Sequence, residues 1–316
     1  MSIPYHERPG VYVEYDTLLR TAPGTYRTVG IAAQGSGTEV TDFSTLEAAT
    51  AALGSAQSSA MVQAALQNGA AHVLFCPYTG TDGSSAAVSL LTQGATAIAV
   101  DSTEGLADIT TLLEEHNAIC FACASKEDAL ALAQSIDHRR IVLLSPDDGL
   151  GAAALAGCLG SQSDPSMPLN GITLAGLSEV EDTFTDAEYD TFLRAGVTPL
   201  EEIGGQVTAL RVVTTATEST WRELTTICIL DDVLPTLEST LRTRFLHKKN
   251  NLATRNAIRA QTAMLLDDRV RRELIEDYSN LQVSAVPDNP TVCEVSFSFT
   301  VVHALCRIHL TAHIVI

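Results

Sequence analysis

The chain has 316 residues; 46% are hydrophobic, only 18% are charged, and the formal net charge is -19. This length corresponds to about two domains. It also allows roughly three quarters of the unfolded surface to be buried without a disulfide or metal staple. The acidic excess argues against a nucleic-acid binder, whose affinity would come from neutralising phosphates. No apolar run reaches the ~20 residues that cross a bilayer, so no membrane insertion is expected. Few charges with high apolarity suggest a surface largely covered by other subunits.

The opening segment, Met1 to Pro9, lacks the basic stretch and apolar core of a secretory signal, so synthesis in the cytoplasm without a signal peptide is expected. Pro4, Pro9 and Pro23 bracket a single strand pattern, Val11-Tyr12-Val13-Glu14-Tyr15, which reads as an extended arm. From Thr28 to Ala33 the pattern is a buried strand. Helices follow at Thr45 to Ala52 and Ser59 to Asn68, then a strand at His72 to Cys76. Strands at Thr96 to Val100, Ala118 to Ala122 and Arg140 to Leu144 alternate with helices at Leu106 to His116 and Lys126 to Ile136. That alternation indicates βαβ units and a largely parallel sheet.

Gly149 to Gly160 reads as a small-residue helix, Thr185 to Ala195 as a helix capped by Gly196, and Gln206 to Thr214 as a β-branched strand. After Thr217 the texture becomes α+β. A strand is expected at Leu224 to Leu230, and a helix at Asp232 to His247 with Pro235 in its first turn. A long helix, with a break near Asp267-Asp268, is expected over Leu252 to Tyr278. Strands then cover Leu281 to Val286, Thr291 to Val302 and Arg307 to Ile316.

Candidate chemistry is thin. Cys120-Phe121-Ala122-Cys123 is a lone CxxC in a strand, where residues three apart face opposite ways, so buried thiols are the reading. The other cysteines, 76, 158, 228, 293 and 306, read as reduced thiols. His309 and His313 lie in a strand pattern and would stand ~13 Å apart, too far to share a metal. Gly35-Ser36-Gly37 follows a strand but lacks the rest of a phosphate loop. The pairs Asp147-Asp148, Asp231-Asp232 and Asp267-Asp268 read as caps or solvated charge. No catalytic residue, cofactor or metal ligand is assigned, and no enzyme activity is expected.

Charge placement is more informative. Nine of the nineteen basic residues fall between Arg242 and Arg272, giving that segment +7 against -26 elsewhere. At helical spacing Arg255 and Arg259 share a face, with Ala253, Ala257, Ala260 and Met264 opposite. A docking face for an acidic partner follows, with Lys248, Lys249, Arg255 and Arg259 foremost. The terminal strand patterns are the second feature: isolated strands with unpaired amides invite pairing with another sheet edge.

Several segments together resemble the bacteriophage contractile-tail sheath family, in family order from end to end. They are Pro9-Gly10-Val11-Tyr12-Val13-Glu14, Asn68-Gly69-Ala70, Ala195-Gly196-Val197-Thr198-Pro199, Gly205-Gln206-Val207 with Arg211 to Thr215, and Arg307-Ile308-His309-Leu310-Thr311-Ala312. Thr198 stands where the family usually carries Asn. The resemblance implies a helical homopolymer around a tail tube protein, meeting baseplate and tail terminator proteins, which contracts to drive the tube through a bacterial envelope. It implies an N-terminal arm over 1–25, an outer α/β domain over 26–216 and an inner α+β domain over 217–316 ending in an arm strand over 307–316. Val11 to Glu14 and Ile308 to Ala312 would link subunits, and Lys248, Lys249, Arg255 and Arg259 would face the tube. Phage tails, tail-like bacteriocins and injection systems share this part, released from the cell as particles. A cytosolic α/β enzyme, or a tube or baseplate component, are the competing readings.

Overall fold

A computed structural model describes residues 27–54, 56–146, 149–177, 179–180, 183–287, 289–306 and 310–311. The larger sheet contains β1 (Val29–Gln34), β2 (Thr41–Phe43), β3 (Val73–Tyr78), β4 (Ala97–Val100), β5 (Ile119–Cys123), β6 (Ile141–Ser145), β7 (Ile172–Thr173), β8 (Val197–Ile203) and β9 (Gln206–Ala209). Its order is β2-β3-β1-β4-β5-β6-β8-β9-β7. The stretch from β3 to β8 is parallel, and antiparallel strands close both ends. The edge strands are short: three residues in β2 and two in β7.

Alternate side chains of the parallel strands enter two cores, as a sheet with both faces covered requires. Ile31, Ala99, Phe121 and Val142 pack with α2 (Gln57–Gln67) and α6 (Leu150–Ser161). Ala32, Ile98, Cys120 and Leu143 pack with α3 (Ser84–Thr92), α4 (Thr110–His116), α5 (Ala129–Ile136) and α7 (Asp186–Ala195). The short α1 (Leu46–Leu53) lies beside α2. α7 carries the N-terminal signature its sequence announces: Thr185 caps Glu188 N–H while the Glu188 carboxylate receives Thr185 N–H, and Gly196 ends the helix at positive φ.

α6 is apolar all round, and Gly151 to Gly160 are all buried between α2 and the sheet. Gly157 permits that approach, because a Cβ there would stand 2.3 Å from the Ala65 carbonyl oxygen.

The remainder consists of α8 (Leu224–Phe245), α9 (Leu252–Arg271), β10 (Ile275–Val286) and β11 (Asn289–Val301). Three sequence expectations change here. Leu224 to Leu230 is helix, not strand; all seven residues are buried, and packing on every side overrides their β-branched character. Pro235 therefore lies inside α8, not in its first turn, and removes the amide that would serve the Asp231 carbonyl. α9 runs unbroken through Asp267-Asp268 and stops at Arg271, after which the chain turns at Glu273 into β10. In the α/β part, the strand expected at Gln206 to Thr214 is confined to β9, Gln206–Ala209, and pairs with an unexpected strand, β8, just before it. The Thr198 hydroxyl bonds both Val213 N–H (3.0 Å) and Val213 C=O (3.2 Å), so residues beyond Ala209 track β8 through a side chain.

α8 joins the two halves. Leu224, Ile227 and Cys228 belong to the core beneath the large sheet, while Ile229, Val233 and Leu237 pack with Leu266, Ile275, Phe297 and Phe299. β10 and β11 form an antiparallel hairpin with register shifts. One face leans on α8 and α9; both outer edges lack a strand partner among the described residues.

Gly157→Ala is expected to lower stability by about 1–3 kcal/mol through overpacking against α2. Denaturant unfolding of the purified protein measures this, with an unchanged slope.

Candidate functional site

Cys120 is buried in β5, and burial alone pushes its thiol up to about 12. Among the described residues no group of three His, Cys, Asp or Glu is placed to hold a metal. His309 and His313 lie outside the described residues. At the C-terminal ends of β1 and β4, where doubly wound sheets place ligands, both Asp101 oxygens are used internally. One accepts Gln34 N–H (2.8 Å) and the other the Tyr78 hydroxyl. Asp147 and Asp148 also lie outside the described residues. No helix among the described residues is long and apolar enough to cross a membrane.

Asp231 overturns the reading of its pair as cap or solvated charge. It sits inside α8 at the opposite, N-terminal rim of the parallel strands and is only 7% exposed. Arg140, 2% exposed, grips it with two bonds of 2.8 and 3.1 Å, and Arg27 adds one of 2.7 Å. Glu114 on α4 holds Arg140 (2.5 Å) and Arg139 (2.7 Å). Arg139 in turn stacks its guanidinium 4.7 Å from the Trp221 ring. The cluster ties α4, the roots of β1, β4, β5 and β6, and α8 into one ionic node. Reading Leu224 to Leu230 as a strand hid it; the signal was an acid within an otherwise apolar helical repeat.

Burial pushes the Asp231 carboxyl up, but Arg140 and Arg27 outweigh that and hold it below its ordinary value. Unfolded, it takes up a proton near pH ~4; folded, it resists until the pH is lower. The node's stabilisation is therefore present above pH ~4 and is lost as pH falls through the folded value.

The basic island is partly self-satisfied. Arg242 pairs with Glu238, Arg244 with Gln261, Arg269 with Asp232 (3.0 Å) and Asp268 (3.1 Å), and Arg271 with Asp268 (3.4 Å). Lys248, Lys249, Arg259 and Arg272 have no ion pair among the described residues. Lys248 and Lys249 are exposed at the turn between α8 and α9, and Arg259 is exposed on α9. Arg255 differs: it is half-buried and donates to Asn250 Oδ1 (2.9 Å), while Asn250 bonds the Pro290 and Val292 carbonyls at the start of β11. The face opposite the arginines is not a packing face, since Ala253, Ala257, Ala260 and Met264 are exposed. α9 instead buries Ile258, Thr262 and Leu266.

Of the linking residues, Val11, Tyr12, Val13, Glu14, Ile308, His309 and Ala312 lie outside the described residues. Leu310 and Thr311 are in no strand, and Leu310 is 92% exposed. Along the hairpin, Val283, Val295, Phe297, Phe299 and Val301 form a half-buried row, and among the described residues of β10 and β11 only Ile275 is buried. A lone two-stranded hairpin is marginal in water, and its open edges are pairing templates.

Residues 216–315 match the family model described as the phage tail sheath C-terminal domain. No curated protein matches the sequence. The fold is that of a chain in the anti-feeding prophage baseplate, at TM-score 0.74 and 15% identity, covering 98% of this chain and 99% of that one. It is also that of a chain in the contracted sheath complex of the extracellular contractile injection system PVC, at TM-score 0.70 and 14% identity, covering 98% of each. The sheath tail protein of Listeria innocua aligns at TM-score 0.68 and 12% identity, covering 90% of this chain and 94% of that one. The resemblance drawn from the sequence is thus supported on two counts. The C-terminal third matches a sheath domain, and the whole chain has the mixed α/β fold, with a large mostly parallel sheet and a small antiparallel one, of sheath and baseplate components.

Asp231→Asn removes the carboxylate charge that Arg140 and Arg27 share. It is expected to cost about 3–5 kcal/mol, the usual penalty for breaking a buried pair. A plot of melting temperature against pH should also fall less steeply below pH ~4 in the variant than in the wild type.

Proposed function

We propose that the chain is a structural subunit of a contractile tail sheath, polymerising helically around a tail tube. The observation that carries this is the β10–β11 hairpin, with two open edges in the segment that matches a sheath domain. In this reading residues 26–216 form the outer domain. Residues 217–316, with the arm 1–25, form the inner one. Val11 to Glu14 and Ile308 to Ala312 from neighbouring copies add strands to the hairpin edges. Main-chain bonds between strands tolerate side-chain repacking, so neighbours stay tethered while the lattice contracts. Contacts that do not close on themselves generate an open helix.

Lys248, Lys249, Arg255 and Arg259 face an acidic tube wall, with the unpaired Lys248, Lys249 and Arg259 as principal contacts and Arg255 bracing the hairpin root. Each exposed pair is worth only ~0.2–1 kcal/mol; repetition over every subunit aligns the lattices while leaving the tube releasable. Baseplate and terminator proteins cap the ends of the polymer. The similarity to a baseplate chain favours one second reading, a short collar at the baseplate instead of a full-length sheath.

Negative-stain microscopy of the purified protein separates these outcomes: rods or hollow cylinders for a sheath, rings for a collar, and discrete particles against both. Deleting Met1 to Asp16 should leave a soluble, cooperatively melting protein that forms no polymer; normal polymers would exclude the arm as a linker. Reversing Lys248, Lys249 and Arg259 to Glu should barely move the melting temperature, because no ion pair among the described residues is broken. The resulting sheaths should be empty of tube, and tube capture at normal yield and salt sensitivity would assign this face another role.

A further inference from the structure

Arg27 stands two residues ahead of β1, directly after residues 1–26 in the chain. Its guanidinium spreads over three anchors: the Asn117 carbonyl (3.0 Å) at the root of β5, the Thr96 carbonyl (3.4 Å) at the root of β4, and the Asp231 carboxylate (2.7 Å) on α8. Arg140 alone already holds Asp231 by two bonds. Arg27 is the third cation on this largely buried cluster, and it is held as a cation chiefly by Asp231 and the two carbonyls. What it adds is a three-way mechanical connection.

We propose that Arg27 is the anchor through which tension on the N-terminal segment enters the body, and that the node behind it passes this tension to α8 and the β10–β11 hairpin, sparing the β1 ladder. Without that anchor, a pull on residue 26 acts directly on Thr28 and Val29. There the first ladder bonds, Thr28 C=O to Thr96 and Ala97 N–H (2.9 and 3.1 Å), would open one at a time. With it, the pull meets at once the rims of β4 and β5, a carboxylate fixed by Arg140, and a helix whose far half is packed against the hairpin. A strand-linked subunit would then be pulled through its N-terminal arm directly onto the element that receives arms from its neighbours. The idea rests on the proposed linking role of that arm.

Single-molecule force spectroscopy on the monomer tests it in two geometries, in a Cys123→Ala, Cys293→Ala and Cys306→Ser background so that no native cysteine outside the core competes for the handles. One pair of handles sits at the N-terminus and at Ala253→Cys; the other sits at Leu46→Cys and Ala253→Cys, and Leu46 and Ala253 are both exposed. At fixed force, Arg27→Gln should speed the first rupture roughly tenfold or more in the N-terminal geometry, and by less than about twofold in the other. Arg27→Lys, which keeps the charge but loses the fork, should behave like Gln; it also serves if the Gln variant does not fold. Equal acceleration in both geometries would reduce Arg27 to an ordinary stabiliser and overturn the proposal. So would unchanged rupture in the N-terminal geometry, or a Lys variant matching wild type. Absence of polymers by microscopy would sink the linking role of the arm but leave the pulling result standing.

Discussion

α8 has no solvent side along its first two turns, and the rest of the molecule is arranged around that constraint. Leu224 to Leu230 are all buried, partly under the large sheet and partly over the hairpin. A helix enclosed this way can carry a charge only if the charge is neutralised in place. Asp231 is that charge, and its partners come from the loops that begin the parallel strands. The ionic node adds little that well-packed apolar residues would not. Its contribution is positional: a carboxylate held by Arg140 and Arg27 fixes the rotation and height of α8, which packing of Ile, Leu and Cys side chains alone would specify less sharply.

The hairpin is the opposite case. Its inward row is only half-buried and its edges are open, so what it lacks is contact with something else. The α/β part shows what such a sheet is like when complete, with alternate side chains fully buried in two cores. The shortfall is concentrated in the segment that matches the sheath domain. The well-buried α/β part and the sparsely covered hairpin part are joined by the one helix, α8, that contributes to both cores.

Much of the α/β part was legible in the sequence because burial there is regular. Continuous apolar runs such as Val29 to Ala33 and Ile141 to Leu144 have no alternative to a buried strand, and Thr185 with Glu188 announces a helix start in four residues. α3 escaped because Ser84 to Thr92 is too rich in serine and alanine to show an apolar stripe. β8 escaped because Pro199 argues against a strand, while its ladder to β6 uses only Val197 to Pro199. The failures at α8 and α9 share a cause. Periodicity reports which residues are apolar, whereas burial there is decided by what lies outside the helix. Thus Thr225 and Thr226 are buried and Ala253 and Ala257 are not. The basic island was visible as composition, but which charges were spoken for was not. Arg269 and Arg244 find partners on the neighbouring helix, which sequence spacing does not reveal.

The lengths of the edge strands carry one more consequence. The large sheet ends in three residues at β2 and two at β7, too little ladder to recruit another chain, whereas β10 and β11 offer twelve and thirteen. Among the described residues, then, a subunit joined by strand addition has a valence fixed by one hairpin, a single acceptor on each side. Units with so few, directionally opposed acceptors grow into a lattice without branch points. Defects in that lattice are vacancies, which end growth or leave a gap, and not the side-growths that a long open edge on the main sheet would seed.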